Sequence, residues 1–259
     1  MIANSTRRFS NRVSDYVKYR PSYPATVLEV LRQETRLSTS STIADLGSGT
    51  GISANLFLAA GCTVFGIEPN QEMRAAAENT LQDCANFRSI AGTAEATTLS
   101  NDSVDYVVAA QAFHWFDPSA ARREIFRILK PDGWLVLIWN SRRISSTPFL
   151  QAYESFLQEY GTDYNVVGHR IVNCSALEDF AGKKLELKKL YNKQIFDFEG
   201  LKGRLLSSSY IHKEDHPNFS TMIDDLRQLF MRYNNNGTVK VEYDTELYWG
   251  NMMDTSPVT

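Results

Sequence analysis

Ten residues constrain this chain more than any others. From Thr42 to Gly51 they read T-I-A-D-L-G-S-G-T-G. The apolar run to Leu46 breaks into glycines at alternate positions, Gly47, Gly49 and Gly51. Ile52, Leu56, Ala59 and Ala60 then recur at helical spacing until Gly61. Glycines clear the β-carbons from a tight turn, so the pattern predicts a strand, a bare turn and a helix whose N-terminus faces the turn. In an open parallel α/β sheet such a first turn lies at the carboxyl edge, where ligands bind.

Spacing and charge discriminate between ligands. A dinucleotide fingerprint, G-x-G-x-x-G, would need a glycine where Ile52 stands. A carboxylate at Asp45, just before the loop, is a poor neighbour for a pyrophosphate and a good one for an ammonium or sulfonium group. S-adenosylmethionine carries both cations and no phosphate. Glu68 ends the next apolar run, Thr63–Ile67, nineteen positions beyond Gly49. An acidic side chain there can accept hydrogen bonds from both ribose hydroxyls. A plain turn and a solvated strand end would explain either feature alone, but the combination points to an adenosyl cofactor.

Composition narrows the classes. A chain of 259 residues can bury one large α/β domain with an insertion. A formal charge of −3 and a pI near 5.9 provide no general attraction to nucleic acid or anionic lipid. The first ten residues, M-I-A-N-S-T-R-R-F-S, have no apolar h-region and no run approaches a membrane span, so a cytoplasmic protein without a membrane partner is expected. Cys62, Cys84 and Cys174 are odd in number and form no C-x-x-C pair, which suits a reducing compartment.

Four segments follow from the pattern: an arm and first helix (1–41), a cofactor-binding core (42–143), a helical lid or insertion with a sixth strand (144–235), and a closing strand of the same domain (236–259). In the arm, Phe9, Tyr16, Tyr19 and Tyr23 would be costly to leave in water. Arg20-Pro21-Ser22-Tyr23-Pro24 is stiff and extended, and Pro24 suits a first helical turn. These residues either pack the arm onto the domain or roof the pocket, with Arg20 available to a carboxylate. Asn70 is a candidate N-cap for a helix through Met73, Ala77 and Leu81. Phe87–Ala91 reads as a third strand leading to Gly92-Thr93-Ala94-Glu95, where Thr93 and the Ala94 N–H can meet an adenine.

Val104–Ala110 is the continuous apolar run of a strand covered on both faces, and it opens onto Gln111-Ala-Phe-His-Trp-Phe116. Asp117 caps the next helix with Pro118 at its first position. Pro131-Asp132-Gly133 then turns into a fifth strand, Trp134–Trp139. This order is that of a doubly wound sheet. Beyond Arg143 helices are expected from Thr147 to Gly161, towards Phe180, and near 198–209 and 221–233. Lys183–Phe198 reads as a strand with its lysines solvated. After Asn236-Gly237 a clean alternation through Val239, Val241 and Tyr243 predicts a closing strand, antiparallel because no crossover helix follows the turn.

Asp45-Leu-Gly-Ser-Gly-Thr-Gly51, Glu68 at the end of strand two, and Leu129-Lys-Pro-Asp-Gly-Trp134 together resemble the class I S-adenosylmethionine-dependent methyltransferases. Tyr16-x3-Arg20-Pro21-x-Tyr23-Pro24 and Gln111-Ala-Phe-His-Trp-Phe116 are similar to the trans-aconitate methyltransferase-like branch. The resemblance implies a Rossmann-like α/β fold with a seven-stranded sheet, its last strand antiparallel, and S-adenosylmethionine as cofactor. It places Gly47 and Gly49 against the methionine and ribose portions, Glu68 on the ribose, Thr93 and Ala94 at the adenine, and Gln111 beneath the methionine. Tyr16, Arg20 and Trp115 would close the pocket, and Asp45, Ser48, Gly51, Pro69 and Met73 complete the implied cofactor-binding set. The family usually carries Asp where this chain has Thr93, so one charge-assisted contact to the adenine amino group is missing from the pattern. A small-molecule acceptor is implied, a small carboxylic acid among the options; monomer and homodimer are equally compatible.

A sulfonium methyl is already activated, so the protein must chiefly align the acceptor and exclude water. A carboxylate or thiolate acceptor needs no base, whereas a hydroxyl or carbon acid does. His114 stands where a base would be needed, against the plainer reading of a packed histidine. Arg142, Arg143, Arg204 and Tyr210 could ring an anionic acceptor, although basic loop residues are mostly solvated. His212-x3-His216 lacks the Glu of H-E-x-x-H and precedes Pro217, so no metal site is expected. A non-catalytic adenosyl-binding module is the main alternative, and a nicotinamide-dependent oxidoreductase is opposed by the glycine spacing and Asp45.

Overall fold

A computed structural model describes residues 13–162, 164, 174–212 and 214–252. Phe9 and the side chain of Cys174, both named above, lie outside the described set. Seven strands form one sheet: β1 (Thr42–Leu46), β2 (Thr63–Ile67), β3 (Phe87–Ile90), β4 (Val104–Ala110), β5 (Leu129–Arg142), β6 (Glu186–Phe196) and β7 (Val239–Asn251). Their spatial order is β3-β2-β1-β4-β5-β7-β6. β1 to β5 pair in parallel, and β7 runs antiparallel between β5 and β6. This is the doubly wound arrangement with an antiparallel last strand that the sequence predicts. The strand order reverses at β1, beside β4, so the β1 turn opens at a switch point of the sheet.

The helices are α1 (Val13–Tyr19), α2 (Thr26–Thr35), α3 (Ile52–Ala59), α4 (Gln71–Thr80), α5 (Pro118–Ile128), α6 (Pro148–Tyr160), α7 (Cys174–Ala181), α8 (Phe198–Leu206) and α9 (Phe219–Tyr233). Their starts follow local chemistry. Asn70 accepts a hydrogen bond from Met73 N at 2.9 Å, and Asp117 accepts one from Ala120 N at 2.8 Å with Pro118 in the first turn. Each cap is worth about 1 kcal/mol. Thr147 does the same for α6, at 3.2 Å to Leu150 N.

Several boundaries differ from the sequence reading: α2 starts at Thr26, so Pro24 lies ahead of the helix and not in its first turn, β5 runs on to Arg142, and β6 ends at Phe196. β5 begins at Leu129, which pairs with Val104, and the register shifts before Tyr106 meets Trp134. Pro131-Asp132-Gly133 is therefore an irregularity inside the strand, not a turn ahead of it. β6 starts at Glu186, because Leu185 is buried with the α7 end of the core.

Two apolar clusters cover the two faces of the sheet. Ile67, Val107, Leu135 and Leu137 pack against α5 and α7 on one face; Ile43, Val64, Val108 and Ile138 pack against α2 and α3 on the other. A third cluster joins α6, α8 and α9 to Val239, Val241 and Tyr243 of β7. It stands beyond the carboxyl edge of β4 and β5, the side on which the glycine turn opens.

Candidate functional site

Gly47 and Gly49 have φ of 67° and 56°, the left-handed region that side chains disfavour. The amides of Gly47 and Ser48 both donate to Ile67 O, at 2.8 and 3.2 Å, and so tie the turn to the end of β2. A β-carbon at Gly47 would stand 2.7 Å from Ala112 Cβ, whereas one at Gly49 would meet nothing within 4 Å. The second glycine thus faces open space. Glu68 bridges the turn and α4: Oε2 accepts from Gly49 N at 3.0 Å, and Oε1 from Asn70 N at 2.8 Å.

That open space is a cavity of about 690 Å³. Tyr16, Arg20, Gly47, Ser48, Gly49, Glu68, Pro69, Met73, Thr93, Ala94, Gln111, His114 and Trp115 all line it. Residues from the arm, the β1 turn, the ends of β2 and β4 and the loop after β3 therefore converge, although they span about a hundred positions of the chain. Asp45 and Gly51 are not among the lining residues. Gly51 caps α3, and its missing β-carbon makes room for Leu81 Cδ1 at 2.7 Å.

Asp45 lies fully buried behind the turn. Its Oδ2 accepts from Ser53 Oγ at 2.6 Å, while Oδ1 has no hydrogen-bond partner among the described residues. Burial pushes its pKa up to about 7, and the nearby Glu68 carboxylate adds to the rise. Burial also raises Glu68. Burial favours the neutral form of both carboxyls, and a cation beside Glu68 in the wall would restore their ionised form. Glu68, the open Gly49 and buried Asp45 fit an adenosyl group bearing positive charge.

The arm reaches the cavity because side chains sew it down. Asn140 Nδ2 and Asn192 Nδ2 donate to Ser22 O at 3.2 and 2.7 Å, and Gln194 Nε2 donates to Tyr19 O at 3.1 Å. Arg20 Nη2 donates to Ser207 O at 2.8 Å, and its guanidinium lies 4.8 Å from the Tyr16 ring centroid. Burial, then the Arg204 guanidinium, hold its pKa below the ordinary value, and its Nε is buried without a partner among the described residues. At the strand ends, Gln111 sits at φ 57°, with Nε2 donating to Asn140 O at 3.3 Å. A non-glycine residue held left-handed in a cavity wall stores backbone strain where a ligand would touch.

Across from the glycine turn the wall is basic and aromatic. Arg142 and Arg204 line it, with Tyr164, Tyr210 and Tyr243. The expectation that these loop arginines are solvated fails for both. Arg142 is paired with Glu154, and its Nη2 donates to Tyr164 Oη at 2.7 Å. Arg204 donates to Ser208 Oγ at 3.0 Å and Tyr243 Oη at 3.4 Å. Burial follows from the α6–α8–α9 cluster, which no local pattern encodes. Arg143 does point outward, paired with Asp244 at 2.6 Å and about a third exposed. Lys189 stays solvated, as expected of β6, and from the cavity rim it meets Glu246 at 2.9 Å.

His114 lies half-buried in the wall, its ring 4.7 Å from Trp115. His212 and His216 stack at 3.5 Å outside the lining, and no three potential metal ligands cluster among the described residues. Glu95 was not singled out, yet its carboxylate side chain lines the cavity beside Thr93 and accepts from Asp117 N at 2.8 Å. Its place two positions after Thr93 in a tight turn was the available signal. Asn70, directly after Glu68 and Pro69, was equally within reach, whereas Asn140, Glu246 and Tyr243 had no such signal, since strand pairing brings them in. No described helix is long and apolar enough to cross a membrane.

Comparison with known proteins adds independent findings. Residues 44–137 match the methyltransferase domain family. An uncharacterized methyltransferase-like protein of Schizosaccharomyces pombe is 29% identical over 248 residues, 92% of this chain and 93% of that protein. An uncharacterized methyltransferase of Mycobacterium bovis is 37% identical over 138 residues, 52% of each chain. Among solved structures, one assigned as a type II methyltransferase from Anaeromyxobacter dehalogenans superposes with a TM-score of 0.68 at 17% identity, covering 93% of this chain and all of that one. Phosphoethanolamine N-methyltransferase 2 of Haemonchus contortus, in complex with S-adenosyl-L-methionine, superposes with a TM-score of 0.58 at 16% identity, covering 96% of this chain and 60% of that one.

Proposed function

We propose that this chain, which belongs to the class I S-adenosylmethionine-dependent methyltransferases, transfers the methyl group to a small carboxylic acid. S-adenosylmethionine is the donor; bound, it supplies a methyl carbon activated by a positive sulfur. In this reading Glu68 accepts from the ribose hydroxyls while keeping the Gly49 turn in place. Thr93, Ala94 and Glu95 meet the adenine. Glu95, two positions after Thr93 and also in the wall, supplies the acidic contact whose usual residue is absent at Thr93. Buried Asp45 provides negative charge beneath the cationic end, and Arg20 with Tyr16 takes the methionine carboxylate. Trp115, Tyr16 and the α6–α8–α9 cluster exclude water. His114 accepts a proton only where the acceptor presents a hydroxyl; a carboxylate oxygen needs no base.

One observation carries the reading: a cavity walled by the buried Glu68 carboxylate, with Asp45 behind it, and by the guanidinium groups of Arg20, Arg142 and Arg204. A positively charged donor and an anionic acceptor would each find the opposite charge there. The test is calorimetric. Gly49→Val fills the open space and strains a left-handed residue, and Glu68→Ala removes the ribose acceptor. Each is expected to weaken S-adenosylhomocysteine binding at least tenfold, and normal binding by both variants would overturn the pocket assignment.

A further inference from the structure

We infer that Arg204 is the specificity-determining residue of the acceptor end, and that it anchors an ionised group of the acceptor other than the one that is methylated. The inference rests on the methyltransferase reading above and asks what the basic wall selects. Arg20 and Arg204 converge on one residue: Arg20 Nη2 donates to Ser207 O at 2.8 Å, and Arg204 Nη1 to Ser207 Oγ at 3.4 Å. Both line the cavity, and among the described residues neither is paired with a carboxylate. Two desolvated guanidinium groups so close repel each other, and no described residue supplies a carboxylate counter-ion. The balancing charge must come from ligands.

Counting the cations decides which ligand. Arg142 is neutralised by Glu154, and Lys189 by Glu246. Arg20, stacked on Tyr16 of the arm, has the donor's single carboxylate for a partner. Arg204 is left over, on α8, with Tyr243 and Ser208 to hold its guanidinium plane in position. An anionic group of the acceptor completes it.

That group is not the nucleophile. In the transfer a lone pair on the acceptor atom forms a bond to the methyl carbon as the carbon–sulfur bond breaks, its electron pair staying on sulfur. An ionised nucleophile loses its charge in this step. A guanidinium bound to it would be worth most before reaction and least at the transition state, and so would raise the barrier. A spectator anion keeps its charge throughout, and binding it places the second group without penalising the chemistry. Arg204 therefore selects acceptors with two polar groups: an ionised anchor and a separate nucleophile.

The experiment uses the whole protein, methyl-labelled S-adenosylmethionine and a small-molecule extract, with labelled products separated on an anion exchanger at pH 7. The wild type is expected to give products that are retained, because the anchor stays ionised. Arg204→Gln is expected to lower that labelling at least tenfold and Arg204→Lys to restore part of it, both with S-adenosylhomocysteine affinity within threefold of the wild type. Labelled products that pass through uncharged would overturn the inference while leaving the methyltransferase reading intact. So would equal labelling by Arg204→Gln, or a tenfold loss of S-adenosylhomocysteine affinity, which would assign Arg204 to the donor. If Arg204→Gln misfolds by circular dichroism, Arg204→Lys alone decides, by a raised KM at retained cofactor affinity. No transfer to any compound, with cofactor binding intact, would instead defeat the proposed activity itself.

Discussion

Asp45 concentrates the electrostatics of the site in one side chain. Its folded pKa of about 7 lies above the ordinary value of 3.8 because the carboxylate is desolvated, with one oxygen unsatisfied. A raised folded pKa means the native state binds more protons than the unfolded chain between those values. This contribution to stability is complete below about pH 4 and is lost as pH rises through 7, on the order of 4 kcal/mol for a shift of this size. Asp45→Asn, which cannot ionise, is therefore expected to match the wild type near pH 4 and exceed it in urea denaturation at pH 8. Cofactor binding should show the reverse dependence, since a cation nearby favours the ionised form. Titrations of S-adenosylmethionine at pH 6.5 in two buffers of different ionisation enthalpy should reveal proton release by the wild type and none by Asp45→Asn.

At the scale of elements, α1 and α8 decide whether the arm closes the cavity. Gly203 lies inside α8, where Ala would ordinarily gain about 1 kcal/mol in helix propensity. Here a β-carbon would come within 2.1 Å of Tyr19 Cε2, with two further ring atoms at 2.4 Å, so the ring must move. Sterics outweigh propensity. Gly203→Ala is expected to displace α1, and with it Tyr16 and Arg20, and to weaken S-adenosylhomocysteine binding several-fold in calorimetry. The fold itself should survive, because the α1–α8 contact lies outside the three main apolar clusters except at its edge. An unchanged affinity would show that the arm has no part in the pocket.

For the whole molecule, β7 is the shared element. Tyr248 belongs to the cluster on one face of the sheet, Leu247 and Trp249 to the other, and Val239, Val241 and Tyr243 to the helical cluster beyond the edge. One strand thus ties the cofactor half to the helices that carry Arg204. Calorimetry is expected to give a single unfolding transition, raised as a whole by S-adenosylhomocysteine; at a hundred times Kd the gain is about 2.7 kcal/mol. Two separable transitions would contradict this coupling.

The local chemistry of Thr42–Gly51 was enough to reveal the strand, the bare turn and the helix, because glycine spacing and apolar period act within ten residues. Glu68 and the caps at Asn70 and Asp117 were legible for the same reason. The alternating stretch after Gly237 showed a strand, but its place between β5 and β6 depends on distant pairing partners, those on β5 over a hundred residues away. The basic wall was invisible for that reason: Arg142 and Arg204 look like surface residues in their own windows. Only the packing of α6, α8 and α9 onto β7 removes water from them, and desolvation, which no local sequence records, turns an ordinary arginine into a binding site.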